Sequence, residues 1–181
     1  MQIKTDTLIK ANEDDLVFLK EKCAGLIYQI NKAAPSRREE IHETLLPKVF
    51  KKLGQNTWFD FPLNVDYGIF TTIGADCYFN HHLSIGDGGR VKIGSHVIVG
   101  PYVGIYTADH PLDVALRNKG LISVSDIEIE DNVFIGANVT ILGGVKIGRN
   151  SVIGAGSVVT KSIEPYSLAV GVPARVIKKL K

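Results

Sequence analysis

Residues 127–159 read IEIEDNVFIGANVTILGGVKIGRNSVIGAGSVV. An aliphatic residue recurs at every sixth position of this stretch, from Ile129 to Val159, and a small or β-branched residue follows it four positions later. Such fixed-period similarity indicates a solenoid, in which each unit buries its apolar side only by stacking on its neighbours. Six residues are too few for a helical repeat. They fit one short strand and a tight turn, so three units are predicted to close one triangular coil.

The repeat starts upstream of this stretch, and twelve units share its register. Each opening side chain is predicted to point into the coil, while the Gly, Asp or Asn residues that follow it serve turns in which the backbone often needs positive φ. The opening residues are Ile73, Phe79, Ile85, Ile93, Val99, Ile105, Ile129, Ile135, Ile141, Ile147, Ile153 and Val159. The fifth positions are Val97, Val103, Val133, Val139, Val145, Ser151 and Ser157.

Two interruptions break this period. The step from Ile85 to Ile93 is eight residues long, so Gly86–Gly89 contains a two-residue insertion. The larger interruption is a loop excursion over residues 106–126, which contains His110. Loops that interrupt a solenoid commonly carry its binding surface, so the excursion is the main candidate for a functional site.

The N-terminal region, residues 1–56, follows a different pattern from residues 57–181. Apolar residues spaced three and four apart predict an amphipathic helix over residues 12–33, with Asn12 as a plausible N-cap. A second helical stretch follows, and Pro47 is expected to kink or split it. We interpret this helical region as a packing cap on the coil.

Composition limits the cellular setting and the partners. The chain has 181 residues, enough for one domain, and its net charge of +2 gives no strong field for binding nucleic acid or an anionic membrane. Two cysteines provide no disulfide framework. An acidic cluster precedes any long apolar run at the N-terminus, and no stretch reaches the roughly 18 apolar residues of a membrane span. We therefore expect a cytoplasmic protein with neither nucleic-acid nor membrane partners.

Residues 54–181 resemble the hexapeptide-repeat sugar O-acetyltransferases, the group that contains galactoside and maltose acetyltransferases. Three stretches carry the resemblance: Asp66-Tyr67-Gly68, the loop TADHPL at 107–112 with LRN at 116–118, and the run IGAGSVVTKSIEPYSLAVGVPARVIKK at 153–179. The resemblance implies transfer of an acetyl group from acetyl-CoA to a hydroxyl of a small sugar-like acceptor. It also implies a homotrimer with sites between neighbouring subunits, and no required metal.

The repeat and the resemblance together predict an all-β fold. The expected architecture is a left-handed parallel β-helix, a hexapeptide-repeat solenoid, preceded by the N-terminal α-helical region and followed by a short C-terminal helix.

His110 is the predicted catalytic residue. A neutral hydroxyl that attacks a thioester must lose its proton as the new bond forms, and imidazole is mostly neutral near pH 7 and is the usual general base. The family implies the same role at this position. The alternative is a histidine that only anchors its loop beside Pro111.

Four residues are implied for acceptor binding. Asn80 matches a family asparagine that positions the acceptor, although an asparagine in a turn of the coil would give the same pattern. Asp66 and Arg117 fall where the family lines its acceptor pocket, and each could instead be a solvated surface charge. His82 is expected to line the cleft near Asn80.

The donor site is expected along the C-terminal coils. Two alanines are implied as backbone contacts to the pantetheine arm, and the first amide could also stabilise the tetrahedral oxyanion. Cationic side chains would meet the phosphates. A phenylalanine stands where the family often has tryptophan. These donor-site residues are Ala137, Ala155, Thr160, Lys161, Arg175 and Phe134.

A zinc site is an alternative role for His81, His82 and His96, because a related β-helix group binds zinc through three histidines. Three convergent ligands are needed, and His81 and His82 would point to opposite faces of a strand. No metal is therefore predicted, and Cys77, at a fifth position, is read as a core residue. Two hypotheses stay open: an acetyltransferase with a non-sugar acceptor such as an antibiotic or an amine, and a non-catalytic β-helix scaffold.

Overall fold

A three-sided coil of short parallel strands forms most of the chain. The structure is a computed structural model that describes residues 7–10 and 13–181. The helices are α1 (Asp14–Lys32), α2 (Arg38–Thr44), α3 (Leu46–Val49) and α4 (Val114–Asn118), with a 3-10 turn at Pro35–Arg37. The strands are β1 (Thr7–Lys10), β2 (Lys52–Leu53), β3 (Trp58–Phe59), β4 (Leu63–Val65), β5 (Thr71–Ile73), β6 (Tyr78–Phe79), β7 (Leu83–Gly86), β8 (Val91–Ile93), β9 (Ile98–Val99), β10 (Gly104–Tyr106), β11 (Ala108–Asp109), β12 (Leu121–Val124), β13 (Ile127–Ile129), β14 (Phe134–Ile135), β15 (Thr140–Leu142), β16 (Lys146–Ile147), β17 (Val152–Ile153), β18 (Val158–Val159), β19 (Ser167–Val170) and β20 (Arg175–Lys179).

Three sheets form the sides of the coil. Sheet I has the order β16-β13-β8-β5-β2, sheet II has β20-β19-β17-β14-β9-β6-β3, and sheet III has β18-β15-β10-β7-β4. Successive coils pair in parallel, and only β20 runs antiparallel to its neighbour β19. The fold is a left-handed parallel β-helix, as the sequence predicts.

The period-six residues form the core of this coil. On sheet I, for example, Ile129 pairs in register with Ile93 on one side and Ile147 on the other. All twelve opening side chains are at most 3% exposed, and all seven fifth-position side chains are at most 2% exposed. The prediction that the opening side chains point inward and stack is confirmed, and the fifth-position side chains are buried with them.

Three edges join the sheets, and their residues recur once per coil. Edge 1 joins sheets II and III and comprises the turns at 80–82, 100–102, 136–138 and 154–156. Edge 2 is the far end of the sheet III strands, at Asp66, Gly86, Tyr106, Leu142 and Thr160. Edge 3 joins sheets I and II and comprises the turns at 54–56, 74–76, 94–96, 130–132, 148–150 and 164–166.

The loop excursion leaves the coil at edge 2 as an antiparallel ribbon. Strands β11 and β12 pair through Ala108 and Val124, and α4 lies between them in sequence. Strand β1 adds to the other side of β12, with Leu8 opposite Ser123. This pairing of the N-terminal strand with the excursion was not predicted from the sequence.

The N-terminal helices pack on the first coil, as predicted. The buried face of α1 is formed by Leu16, Cys23, Ile27 and Ile30. The second helical stretch is split at Leu45 into α2 and α3, and Pro47 is the second residue of α3. Helix α1 starts at Asp14, and the predicted cap at residue 12 lies outside the described residues. Within residues 7–10 and 13–181, no helix is both long enough and apolar enough to cross a membrane.

The predicted short C-terminal helix is wrong. The segment Arg175–Lys179 is strand β20, which pairs antiparallel with β19 and shows a register shift between Leu168 and Ala169. β-Branched Val176 and Ile177 favour an extended backbone, and an unpaired edge of sheet II is available to it. Strand pairing therefore outweighs helix formation in this segment.

Candidate functional site

His110 lies on the ribbon, immediately after β11. Its side chain is exposed, and its backbone N–H donates to Asp109 Oδ1 at 2.7 Å. The chain then turns into α4, whose first turn is capped by Asp113 Oδ1, which accepts from the N–H of Leu116 at 2.9 Å. The backbone on both sides of His110 is thus fixed by short-range hydrogen bonds, while the imidazole is open to a reactant.

Arg117 closes the loop that carries His110. Its guanidinium donates to the carbonyl of Pro111 at 2.9 Å and to that of Leu112 at 3.3 Å. These contacts give Arg117 a role in shaping the loop. Its contact with an acceptor, implied by the resemblance, stays a prediction.

Asp66 lines a cavity of about 360 Å³ between α1 and β4. Its carboxylate lies 3.1 Å from Lys20 Nζ and is about a third exposed. Tyr28 and Asn64 also line this space. A carboxylate, an ammonium group and an amide around one open cavity can bind several hydroxyls at once.

Asn80 and the two histidines after it form a turn of edge 1. Asn80 Oδ1 accepts from the N–H of His81 at 2.8 Å. The two imidazoles contact each other, with Nδ1 of His81 and Nδ1 of His82 2.8 Å apart, because the residues lie in a turn rather than on a strand. Among the described residues, no three His, Cys, Asp or Glu side chains are grouped so that they could hold a metal ion.

Ala137 and Ala155 occupy the same position in successive turns of edge 1. Over the described part of the chain, neither amide N–H donates a hydrogen bond to another protein group. The neighbouring residues in the preceding turns are glycines, which leave both nitrogens uncovered. A Cβ added at Gly100 would lie 2.8 Å from Ala137 N, and one added at Gly136 would lie 2.6 Å from Ala155 N. Edge 1 therefore presents two unpaired donors in a glycine-lined groove.

In the matching turns of edge 3, side chains accept hydrogen bonds from the corresponding amides. There the N–H of Ala75 donates to Ser95 Oγ at 3.1 Å, and the N–H of Ser95 donates to Asp131 Oδ1 at 2.7 Å. Ala137 is half-buried and Ala155 is exposed. Because half-buried amides are normally paired, the open amide of Ala137 indicates an external acceptor, and the Ala155 amide is accessible from solvent beside it. Carbonyl groups are hydrogen-bond acceptors of the kind that such donors require.

The other predicted donor-site residues surround the C-terminal coils. Phe134 is 46% exposed on the outer face of sheet II, two residues before the Gly136 turn. Thr160 and Lys161 are exposed at edge 2, at the end of β18. Arg175 is exposed at the start of β20, where its guanidinium also donates to the carbonyl of Ala174 at 2.8 Å.

The predicted site residues fall into two groups within one chain. Edge 1 brings together Asn80, His82, Ala137 and Ala155, whereas Asp66, Thr160 and Lys161 lie at edge 2, from which the His110 ribbon also starts. The sheet III strands between the two edges are two to four residues long. At about 3.3 Å per residue, the edges are separated by about 10 Å.

Asp87 is an interior residue of the first insertion that the sequence analysis left without a role. It is fully buried, and its carboxylate accepts from the N–H groups of Tyr67 and Gly68 at 2.8 and 3.1 Å and from Thr71 Oγ1 at 2.8 Å. Burial raises the pKa of Asp87 to about 6, against the opposing effect of these donors. The Asp87 carboxylate therefore fixes the turn that follows Asp66. Asp87 lies between two glycines, and nothing in the local sequence predicts that its side chain points inward.

A cavity of about 600 Å³ lies on sheet I, away from the predicted site residues. Charged pairs line it, including Arg90 with Asp126, whose Nε and Oδ2 are 2.6 Å apart, and Lys92 with Glu128 at 2.8 Å. These groups neutralise one another on a solvated face, so we place the chemistry on edges 1 and 2.

Both cysteines are interior residues. Cys77 is 2% exposed and Cys23 is 3% exposed, and burial raises the thiol pKa of Cys77 above its usual value and that of Cys23 to about 12. A thiol needs its thiolate form to act as a nucleophile. The prediction that Cys77 belongs to the core is confirmed.

Sequence comparison identifies similar proteins across most of the chain. The pattern described as "Bacterial transferase hexapeptide (six repeats)" matches residues 126–161. The galactoside O-acetyltransferase of Escherichia coli (strain K12) is 42% identical over 155 residues, which cover 86% of this chain and 76% of that protein.

Solved structures agree over nearly the whole chain. A maltose O-acetyltransferase from Clostridium difficile 630 superposes with a TM-score of 0.94 and 38% identity, covering 98% of each chain. A galactoside acetyltransferase in complex with coenzyme A superposes with a TM-score of 0.93 and 37% identity, covering 97% of this chain and 88% of the other. The similarity thus includes the coil, the ribbon and the N-terminal helices.

Proposed function

Because this chain belongs to the family of hexapeptide-repeat sugar O-acetyltransferases, we propose that it transfers the acetyl group of acetyl-CoA to a hydroxyl of a sugar or a related small acceptor. The observation that carries this function is the 42% identity to a galactoside O-acetyltransferase over 86% of the chain. The two open amides of edge 1 and the exposed imidazole of the ribbon support it physically.

Transfer is direct, through a ternary complex. His110 accepts the proton of the acceptor hydroxyl while the oxygen attacks the thioester carbonyl. The tetrahedral intermediate then collapses, the C–S bond breaks, and the CoA thiolate leaves and takes the proton from the imidazolium. The acetyl group ends on the acceptor oxygen, and neither a metal nor an acyl-enzyme takes part.

The donor lies along edge 1. Its pantetheine carbonyls accept from the amides of Ala137 and Ala155, and the Ala137 amide also faces the developing oxyanion. Phe134 packs on the arm as an apolar surface. Arg175 meets the phosphates of the nucleotide from β20, and Thr160 and Lys161 reach the nucleotide from edge 2 of the neighbouring subunit. Lys161 and Arg175 are cations suited to phosphate.

The acceptor lies between the ribbon and the first coils. Asp66 and Asn80 contribute hydrogen-bonding groups to its hydroxyls, and His82 lines the cleft beside Asn80. Arg117 contributes from the ribbon, where it also supports the loop of His110. The paired Asp66 and Lys20 favour a neutral, hydroxyl-rich acceptor over a strongly charged one, because each charge already has a partner.

Two copies of the chain complete each site in a homotrimer. His110 starts from edge 2, whereas the Ala137 and Ala155 amides lie on edge 1, about 10 Å away across sheet III. Joining edge 2 of one subunit to edge 1 of the next brings both groups to one thioester, and threefold repetition of that contact closes a ring.

Two buried free thiols suit a reducing cytoplasm, where we place the enzyme.

The direct test is release of CoA from acetyl-CoA with a panel of pyranosides, amino sugars and aminoglycosides, followed with a thiol-reactive dye. We expect turnover with at least one pyranoside and one acetyl ester per CoA released by mass spectrometry. Amide products from amine acceptors alone would replace the sugar hydroxyl with an amine. Absence of turnover together with absence of acetyl-CoA binding by calorimetry would support the non-catalytic scaffold.

A further inference from the structure

Edge 1 carries ring side chains at two positions where the backbone is in the left-handed region. The third residue of each turn has positive φ, at 60° for His82, 60° for Tyr102, 56° for Asn138 and 72° for Gly156. Asn, His and Gly are common in this left-handed region, and Tyr is less common there. His82 and Tyr102 place two rings in successive turns of edge 1, where the next two turns have Asn138 and Gly156.

The two rings form a stacked pair on the protein surface. The centroids of His82 and Tyr102 are 4.5 Å apart with an interplanar angle of 17°. The imidazole of His81 meets Tyr102 edge-on at 5.3 Å and contacts His82 through the 2.8 Å Nδ1–Nδ1 pair. Tyr102 nevertheless remains 52% exposed. The three rings make a supported surface that is open to solvent.

This ring surface lies beside both halves of the proposed site. Tyr102 stands one turn before Asn138 on edge 1, and the N–H of Asn138 donates to the carbonyl of Pro101 at 2.9 Å. The Ala137 amide is thus one coil, about 4.8 Å, from the Tyr102 turn. On the other side, Asn80 is tied to His81 by the 2.8 Å hydrogen bond from the His81 N–H. A molecule that reaches Asn80 and the thioester together passes the rings.

We propose that the His82–Tyr102 stack is an acceptor platform on which the C–H face of a pyranose ring packs. The inference rests on the proposed function and narrows its acceptor to cyclic sugars that present an apolar face. Aromatic surfaces bind the apolar side of an amphipathic molecule, while the neighbouring polar groups pair with its hydroxyls. An open-chain alditol has the same hydroxyls and lacks the flat C–H face, so it is the poorer acceptor.

Edge 3 provides matched controls for this platform. His96 and Tyr166 also have positive φ, at 57° and 56°, and each follows the same backbone geometry as His82 and Tyr102. Asparagine occupies equivalent positions at Asn138 of edge 1 and at Asn132 and Asn150 of edge 3, so His→Asn and Tyr→Asn variants keep a residue that the turn accepts.

The test compares His82→Asn and Tyr102→Asn with His96→Asn and Tyr166→Asn in the full chain. We expect the first two variants to raise the KM for a methyl pyranoside about tenfold, the equivalent of one lost aromatic contact, with the KM for acetyl-CoA unchanged. The two edge 3 variants should keep both constants. The wild type should prefer a pyranoside to the alditol of the same sugar, and the edge 1 variants should reduce that preference.

Three results would contradict the platform, and they have different consequences for the proposed function. If the wild type acetylates pyranosides but all four variants share its acceptor KM, the platform is overturned and the proposed function stands. If the wild type acetylates no cyclic sugar, both are overturned. A rise in the acetyl-CoA KM of the edge 1 variants, with an unchanged acceptor KM, would assign the rings to the donor instead and also contradict the platform.

Discussion

At the scale of single residues, the proposed chemistry depends on one imidazole at the start of a solvent-exposed loop. His110 has its backbone fixed by Asp109 and its ring free, an arrangement that suits repeated proton transfer. The exposed position also means that replacing the ring removes little packing. Loss of activity in such a variant therefore reports on chemistry rather than on folding.

We expect His110→Ala to lower kcat by about 100- to 10,000-fold, the usual contribution of a general base, and to leave the affinity for acetyl-CoA unchanged. The measurements are CoA release under saturating acceptor and calorimetric titration with acetyl-CoA. His96→Ala is the matched control, since His96 is another exposed histidine on a different edge. Turnover near that of the wild type in His110→Ala would remove the proposed mechanism.

Asp87 is the second residue with a clear consequence, and it concerns stability. Its pKa of about 6 in the folded protein lies above its ordinary value of 3.8, mainly because burial disfavours the charged form. The folded state therefore binds this proton more tightly than the unfolded chain does. The stability that protonation contributes is fully present below pH 4 and is lost as pH rises through about 6.

The predicted measurement is urea unfolding of the wild type and Asp87→Asn at pH 4 and pH 7, at one protein concentration. Asparagine keeps an acceptor oxygen for Tyr67 and Gly68 and does not titrate in this range. Between the two pH values, the unfolding free energy of the wild type should fall by about 2 kcal/mol relative to the variant, because one pKa unit corresponds to about 1.4 kcal/mol and the unfolded carboxyl is already partly ionised at pH 4. Parallel pH profiles would contradict a raised pKa.

At the scale of elements, a strand of two to four residues is too short to be stable alone. Each strand depends on the register of its neighbours, so that Ile105, Ile141 and Val159 stack in one row on the inner face of sheet III. The row is fully buried, whereas the residue that follows Ile141 on the same strand, Leu142, is 36% exposed. Ile141 thus lies on the inner face of sheet III, and the adjacent Leu142 lies on the outer face.

We expect Ile141→Ala to lower the unfolding free energy by about 2–5 kcal/mol, because the coil cannot collapse around the cavity left by the side chain. Leu142→Ala, on the outer face of the same strand, should have an effect of about 1 kcal/mol or less. Thermal unfolding monitored by circular dichroism compares the two. Equal losses of stability would mean that the alternation of inward and outward residues is not what stabilises the strand.

At the scale of the whole molecule, the ribbon that carries His110 leaves the coil at edge 2, whereas the amides of Ala137 and Ala155 lie on edge 1. In the proposed trimer, edge 2 of one copy lies against edge 1 of the next and brings both groups to one thioester. The proposal therefore makes each active site a property of two subunits.

Mixing inactive variants tests that arrangement. We expect His110→Ala and Asn80→Ala to be inactive or nearly so as separate proteins, and co-expression in equal amounts to restore about a quarter of wild-type activity, because one site in four then receives both intact edges. Light scattering should give the mass of three chains. Failure of mixed trimers to recover activity would place both residues in the same subunit's site.

The sequence by itself determined the coil. Period-six spacing fixes which side chains can be buried, and the burial of all twelve opening residues follows because no other side of so short a strand can be covered. The same local pattern located the interruptions and His110. The local pattern gave a wrong prediction at the C-terminus. A helix was expected there, but the segment pairs with the free edge of sheet II as β20.

Tertiary structure alone decided how distant residues meet. The pairing of β1 with the ribbon, the inward carboxylate of Asp87 and the stack of His82 on Tyr102 each join residues from different turns of the chain. None has a signature in spacing, because the coil brings together residues about twenty or more positions apart at about 4.8 Å per turn. Period six specifies the scaffold, and the irregular contacts between its turns specify the candidate site.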